Sequence, residues 1–268
     1  MFNHNEIIST FASHKHKNFG GMEKNFRVSA LIMNMLVAVV MFSIVFSSCK
    51  KEHEDDTPVT PGVNIVSPTP DNGGILPESV LPAALADSIA PWMGVYSGET
   101  PPAVSGQFVS SPHALLHSTV ETDTVSVFND RYIAFELNGK YVNFYGKQWD
   151  NADQQYYEEA YRNLWLVGEG ENFTCYYIIE GYPNGFYAKQ STIFSGSWVE
   201  GAGGLGNFKV AVILLETSGN PNLEPKNSFR VLGDLDGLAE DTAWIEGKRT
   251  LGDGIIVSGE DAFRMFRK

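Results

Sequence analysis

The chain has 268 residues and carries 19 Lys/Arg against 32 Asp/Glu, a formal charge of −13. A surface this acidic repels phosphate backbones, which argues against nucleic acid as a partner. The length suits one sizeable core in a single domain, and the net charge favours solubility.

Taken in chain order, residues 1–21 are unlike any leader, whereas Met22-Glu-Lys-Asn-Phe-Arg27 opens one. Translation is expected to start at Met22, with positions 1–21 a mis-assigned extension. Leu31 to Phe46 is uncharged and mostly Leu, Ile, Met, Val or Phe, with Lys24 and Arg27 before it and Ser47-Ser48-Cys49 after it. A basic stretch, an apolar stretch and small residues before a cut form a signal peptide, here residues 22–48. The run is short for the roughly 20 residues of a membrane-crossing helix.

Phe46-Ser47-Ser48-Cys49 resembles the lipobox of bacterial lipoproteins, with Phe46 where Leu is usual. That resemblance implies cleavage before Cys49, a diacylglycerol on its sulfur and an acyl chain such as palmitate on its amino group. It implies no other cofactor. Several acyl chains together anchor a protein stably, where one binds only marginally. Lys50-Lys51-Glu52-His53-Glu54-Asp55-Asp56 resembles the export signal of surface lipoproteins in Bacteroidota-type bacteria, implying the outer membrane and its cell-surface face. The mature chain would keep 15 of the 19 basic residues and 30 of the 32 acidic ones.

Residues 49–77 hold five of the 13 prolines and read as an extended, disordered tether. Residues 78–268 form the globular domain. Glu78–Ile89 suits a short helix with Pro82 in its first turn. Strands are expected at Gly106–Ser111, Thr124–Phe128, Arg131–Leu137 and Lys140–Tyr145, with Asn138-Gly139 as a type I′ hairpin turn. Asp150–Asn163, rich in Glu, Gln and Ala, is expected to be helical. Further strands are expected at Leu164–Val167, Phe173–Glu180, Phe186–Glu200, Phe208–Leu215, Ser228–Asp234 and Thr242–Lys248. Many short strands with Gly, Asn and Pro turns give a mainly β fold, an antiparallel β-barrel or sandwich with one or two short helices.

Chemistry-bearing patterns are sparse. Gly201-Ala-Gly-Gly-Leu-Gly206 has the spacing of a dinucleotide motif, but a strand follows where a helix is required, so a hairpin loop is expected. Asp234-Leu-Asp-Gly237 opens like a calcium loop but has Leu238 and Ala239 where a ligand and Gly are needed, which leaves an acidic turn. His113 and His117, four apart, would share one face of a helix or strand, too few for zinc. Adjacent Glu158 and Glu159 would point apart on a helix and face solvent. With Cys49 lipidated, Cys175 is unpaired and suits core packing. No metal site and no catalytic residues emerge.

Aromatic residues crowd between Tyr141 and Trp165. Tyr141, Tyr145, Trp165, Tyr177 and Trp198 are the candidate ligand-binding residues, since such rings both stack and hydrogen-bond. Asp87-Ser-Ile89, Asp123-Thr-Val125 and Asp241-Thr-Ala243 resemble the O-glycosylation sites of exported Bacteroidota-type proteins. Residues 49–268 resemble the small β-rich lipoproteins of those bacteria, most clearly at Met93–Phe108, and Gly106-Gln-Phe108 resembles the opening of lipocalin-like barrels, which enclose a small apolar ligand. The expected function is a lipid-anchored, non-enzymatic extracytoplasmic module binding a small molecule, a glycan or a protein. A surface glycan hydrolase and a structural component of a surface assembly are the alternatives. A Cys49→Ala chain is expected to lose uptake of radioactive fatty acid in a bacterial host, while the unaltered chain incorporates it.

Overall fold

The computed structural model describes residues 63–244, apart from 125 and 152, together with 261–267. The expected leader, Cys49 and the first part of the expected tether lie outside these residues. Twelve strands form one sheet: β1 (Asn64–Val66), β2 (Glu99–Thr100), β3 (Gly106–Ser110), β4 (His113–Ser118), β5 (Arg131–Asn138), β6 (Tyr141–Asp150), β7 (Gln155–Glu169), β8 (Asn172–Gly181), β9 (Ala188–Trp198), β10 (Gly204–Glu216), β11 (Phe229–Asp234) and β12 (Leu238–Asp241). Among the described residues there is one α-helix, α1 (Ala83–Ile89), and there are 3-10 turns at Pro183–Gly185 and Asp261–Phe266.

Eight of the strands close a barrel. Antiparallel pairing runs from β8 through β7, β6, β5, β3, β12, β10 and β9, and β9 pairs back onto β8. The choice between barrel and sandwich is thus decided for the barrel. Two extensions branch from it. Strand β1 pairs with the last residues of β8, and β11 pairs with the far half of β10 and carries β4 on its other side. Strand β2 lies parallel to the end of β7.

The barrel interior is filled by side chains. Phe108, Phe135, Phe144, Phe173, Phe194 and Phe208 are all buried there with Val142, Leu164, Leu166, Cys175 and Val212. Phe144 and Phe194 stack at 4.5 Å between centroids, and Phe135 meets Phe173 edge-on at 6.0 Å. Phe263 and Phe266 of the terminal 3-10 turn belong to the same cluster. This is the size of barrel whose interior side chains just fill.

A second cluster lies outside the barrel wall. Leu76, Val80, Leu85, Ile89 and Met93 pack on Tyr176, Ile178, Ile193, Ala211, Ile213 and Phe229. Strands β8 to β10 are therefore buried on both faces, which is why Phe173-Thr-Cys-Tyr-Tyr-Ile-Ile179 shows no polar alternation. The covering segment begins inside the stretch read as tether. Residues 64–66 are a strand, with Asn64 opposite Glu180, and the Ser67 hydroxyl donates to the Tyr176 carbonyl at 2.8 Å. The prolines there are compatible with an edge position, where no ladder N–H is missed.

Three further expectations are corrected. Asp150–Asn163 is not a helix: after a turn, Gln155–Glu169 is a 15-residue strand paired with β6. Its helix-forming residues yield to the cross-strand partners that the barrel supplies, a tertiary override of a weak local preference. The β5–β6 turn is Gly139-Lys140 rather than Asn138-Gly139. Asn138 still pairs with Tyr141, and only Gly139, at φ +64°, takes the left-handed conformation, the type II′ pattern. Thr124–Phe128 contributes a single bridge, Val127 to Ala114, instead of a strand. Of the strand expected at Thr242–Lys248, residues 245–248 lie outside the described residues, and the Thr242 N–H donates to the Gln107 carbonyl at 2.9 Å as the chain runs on from β12. The Gly201–Gly206 loop does join β9 to β10 as a hairpin.

Truncation of Phe194, which touches Phe135, Phe144, Tyr177 and Phe208, is expected to be severe. Phe194→Ala should lose about 3–5 kcal/mol in urea unfolding.

Candidate functional site

The five candidate aromatic residues divide among four places. Tyr177 lies inside the barrel, its ring 4.0 Å from that of Tyr161. Trp198 packs edge-on to Phe108 at 5.5 Å, against the interior cluster. Tyr145 points outward and stacks on Trp244 at 5.1 Å, and the Trp244 indole N–H donates to the Ile133 carbonyl. Only Tyr141 and Trp165 come together. Their rings meet at 4.7 Å and 61°, and they line an open cleft of about 630 Å³.

A β-bulge builds this cleft. Between the pairs Val142–Leu164 and Phe144–Tyr161, strand β7 carries one extra residue. Asn163 sits there at φ +54°, its N–H held by the Asn143 side-chain oxygen at 3.1 Å. Strict alternation from inward-facing Tyr161 would turn Trp165 inward too. The extra residue instead keeps Leu164 and Leu166 in the core and turns Trp165 outward beside Tyr141. Bulges re-aim side chains in this way.

The other lining residues are Ser67, Asn138, Gly139, Lys140 and Asn163. The Asn138 amide donates to the Asn163 side-chain oxygen at 3.2 Å. The Trp165 backbone N–H donates to the Ser67 hydroxyl at 2.9 Å, which ties the covering segment to the cleft. Lys140 Nζ lies 4.1 Å from the centroid of Trp165 and 5.3 Å from that of Tyr141. Two rings, two primary amides, a hydroxyl and an ammonium therefore converge on one exposed groove. In the sequence its polar members do not stand out, because Asn138 reads as a turn residue, Lys140 as the first residue of a strand and Asn163 as the end of a helix.

A separate buried polar network lies inside the barrel. Arg131 forms an ion pair with Glu159, whose other oxygen accepts from the Tyr161 hydroxyl at 3.1 Å and the Tyr177 hydroxyl at 3.4 Å. Gly146 lies beneath this carboxylate, and a Cβ there would sit 2.7 Å from Glu159 Oε1. Burial above all, with the Glu159 charge adding to it, pushes both phenols well above their ordinary range. Glu159 is thus no solvent-facing residue. Its neighbour Glu158 does point the other way, 3.7 Å from Lys147.

His113 and His117 do not share a face. The bulge at Leu116, opposite the step from Val231 to Leu232, splits them. His117 stacks on Trp92 at 4.4 Å outside the wall. His113 is fully buried, with Nδ1 3.0 Å from the Ser110 hydroxyl. The Asp234 carboxylate accepts from the backbone N–H of Asp236 within the acidic turn and from that of Ser111 in the β3–β4 connection. Asp123, within one of the glycosylation-like triplets, is held by Arg230 at 2.5 and 2.7 Å. Cys175 is buried in the interior cluster, and burial pushes its thiol up, which fits packing rather than reactivity.

Comparison of this chain with protein-family models, with curated proteins and with solved structures returned no match to any of them. The reading of the cleft rests on its own geometry.

The buried imidazole makes a pH prediction. Burial first, and the nearby Arg131 charge second, lower His113 from 6.5 to about 3. Between those values the unfolded chain binds a proton that the folded chain does not, so acid removes stability. In urea unfolding at about pH 7 and about pH 4.5, the advantage of the unaltered chain over His113→Gln should shrink by up to about 1.4 kcal/mol per pH unit below 6.5.

Proposed function

We propose that this protein is a lipid-anchored surface module, non-enzymatic, whose outer cleft at Tyr141 and Trp165 binds a glycan. The single observation that supports this most is the pairing of the two outward rings with the Asn138 and Asn163 amides around one groove. A sugar ring presents an apolar face and an edge of hydroxyls. The first stacks on an aromatic ring, and the second needs donors and acceptors close by. The cleft offers both, and its volume falls within the roughly 300–1,000 Å³ span of ligand sites.

An enclosed apolar ligand, as in lipocalin-like barrels, suits this chain less well, because phenylalanines occupy the space such a ligand would fill. The anchor reading rests on the sequence: the leader, Cys49 and the acidic run after it. A module tied to the cell surface by lipid would hold a captured glycan at the membrane for other proteins to process.

The test is affinity electrophoresis through gels containing soluble polysaccharides, followed by titration calorimetry on any that retard the protein. Trp165→Ala should weaken binding at least about tenfold, the size of one lost aromatic stack. Trp165→Phe should retain most of it, and Tyr145→Ala should leave it unchanged. Equal retardation of the unaltered chain and Trp165→Ala by every retarding glycan would overturn the assignment. Release of shortened sugars would instead favour the hydrolase.

A further inference from the structure

The chain enters the described domain at one end of the barrel. Strand β1 begins beside the end of β8, and Val63 Cγ2 would lie 3.7 Å from a Cβ on Gly181. The β6–β7 turn (151–154), the β8–β9 connection (182–187) and the loop after β10 (217–227) lie at this same end, because alternating antiparallel strands bring every second connection together. The start of β5 joins them, since Asn129 donates to the Trp149 carbonyl at 3.0 Å and accepts from the Gln148 amide at 2.8 Å. The β5–β6 turn, and with it the Tyr141–Trp165 cleft, lies at the opposite end with the β7–β8 and β9–β10 turns.

The two ends differ in chemistry. Exposed large apolar side chains ring the end where the chain enters: Val127, Phe128, Tyr156, Tyr182 and Phe186, with Tyr182 50% and Val127 61% accessible. Three carboxylates there are held in ion pairs, Lys189–Glu180, Lys226–Glu216 and Arg264–Asp150, while Asp153 in the β6–β7 turn is exposed. At the cleft end, Glu136, Glu169, Glu171 and Glu200 are exposed, and the exposed large apolar side chains are Leu137 and Val199. Tyrosine and phenylalanine on an exposed rim suit the headgroup layer of a bilayer, where one part of the side chain is apolar and another wet. An acidic end suits the side turned away from anionic headgroups.

We infer that the barrel end carrying Val127, Phe128, Tyr156, Tyr182 and Phe186 docks on the lipid bilayer and points the glycan cleft outward. The inference rests on the lipid anchor proposed above and is independent of what the cleft binds. Cys49 precedes Val63 by 14 residues, a span of at most about 50 Å fully extended, so an anchor there draws this end toward the membrane first. Once the lipid has raised the local concentration, each weak rim contact becomes intramolecular and needs little affinity of its own. The occupant is thus the bilayer holding the anchor, met by side chains that dip only into its headgroup layer.

The experiment uses the full lipidated chain on vesicles of phosphatidylcholine, with and without phosphatidylglycerol. An environment-sensitive fluorophore is placed on Tyr182→Cys or on Glu171→Cys, with buried Cys175 expected to stay unlabelled. On vesicle binding, emission at position 182 should shift to the blue, and emission at 171 should not. Adding Tyr156→Ser and Phe186→Ser should remove most of the shift while the protein still floats with the vesicles. If the protein floats and both reporters stay in water, docking is overturned and the anchor stands. A shift at 171 alone overturns the orientation. If the unaltered chain floats no better than Cys49→Ala, the anchor reading fails, and docking fails with it.

Discussion

An eight-stranded barrel has room inside for side chains or for one small ligand, and here the phenylalanines have taken the room. Phe135, Phe144, Phe173 and Phe194 contact one another across the axis, and Phe194 continues to Phe208. Close packing of this kind makes the interior a source of stability and leaves little room there for a ligand. The groove that does present rings and polar groups to solvent is built where the wall departs from regular alternation.

The polar groups inside obey the same constraint. A charge carried into an apolar interior must be paired, and a partly paired one is costly. Glu159 meets Arg131 and two tyrosine hydroxyls, and Gly146 leaves the space for its carboxylate. This cluster belongs to the way β5, β6, β7 and β8 fit together, and removing one partner would strand the others.

The covering segment explains another feature. Strands β8 to β10 would expose an apolar outer face if α1 and the residues before it were absent. An uncovered face of that size invites association with other chains. Residues that look like a continuation of the tether, from Val63 through Leu76, are therefore part of the domain, held by three residue pairs between β1 and β8 and by the Ser67 hydroxyl between Tyr176 and Trp165. The same hydroxyl connects the cover to the cleft.

Mainly β architecture was legible because Ile133, Phe135 and Leu137 alternate with polar or small residues and glycine marks the turns. The cleft was half legible: Tyr141 and Trp165 stood out as aromatic, but Asn138, Lys140, Asn163 and Ser67 did not. Gln155–Glu169 misled because Glu, Gln and Ala prefer helices by only tenths of a kcal/mol each, less than one good cross-strand contact supplies. The histidine pair misled for a related reason, since a bulge leaves no mark in local composition.

By itself the sequence determined the acidic character, the strand-rich class and most strand positions, all properties of composition and short-range pattern. Tertiary structure alone decided that the barrel closes, that its interior is full, that Glu159 is buried and that Trp165 faces outward beside Tyr141. Each of those depends on which strands pair and in what register, and one extra residue in a strand reverses every side chain beyond it.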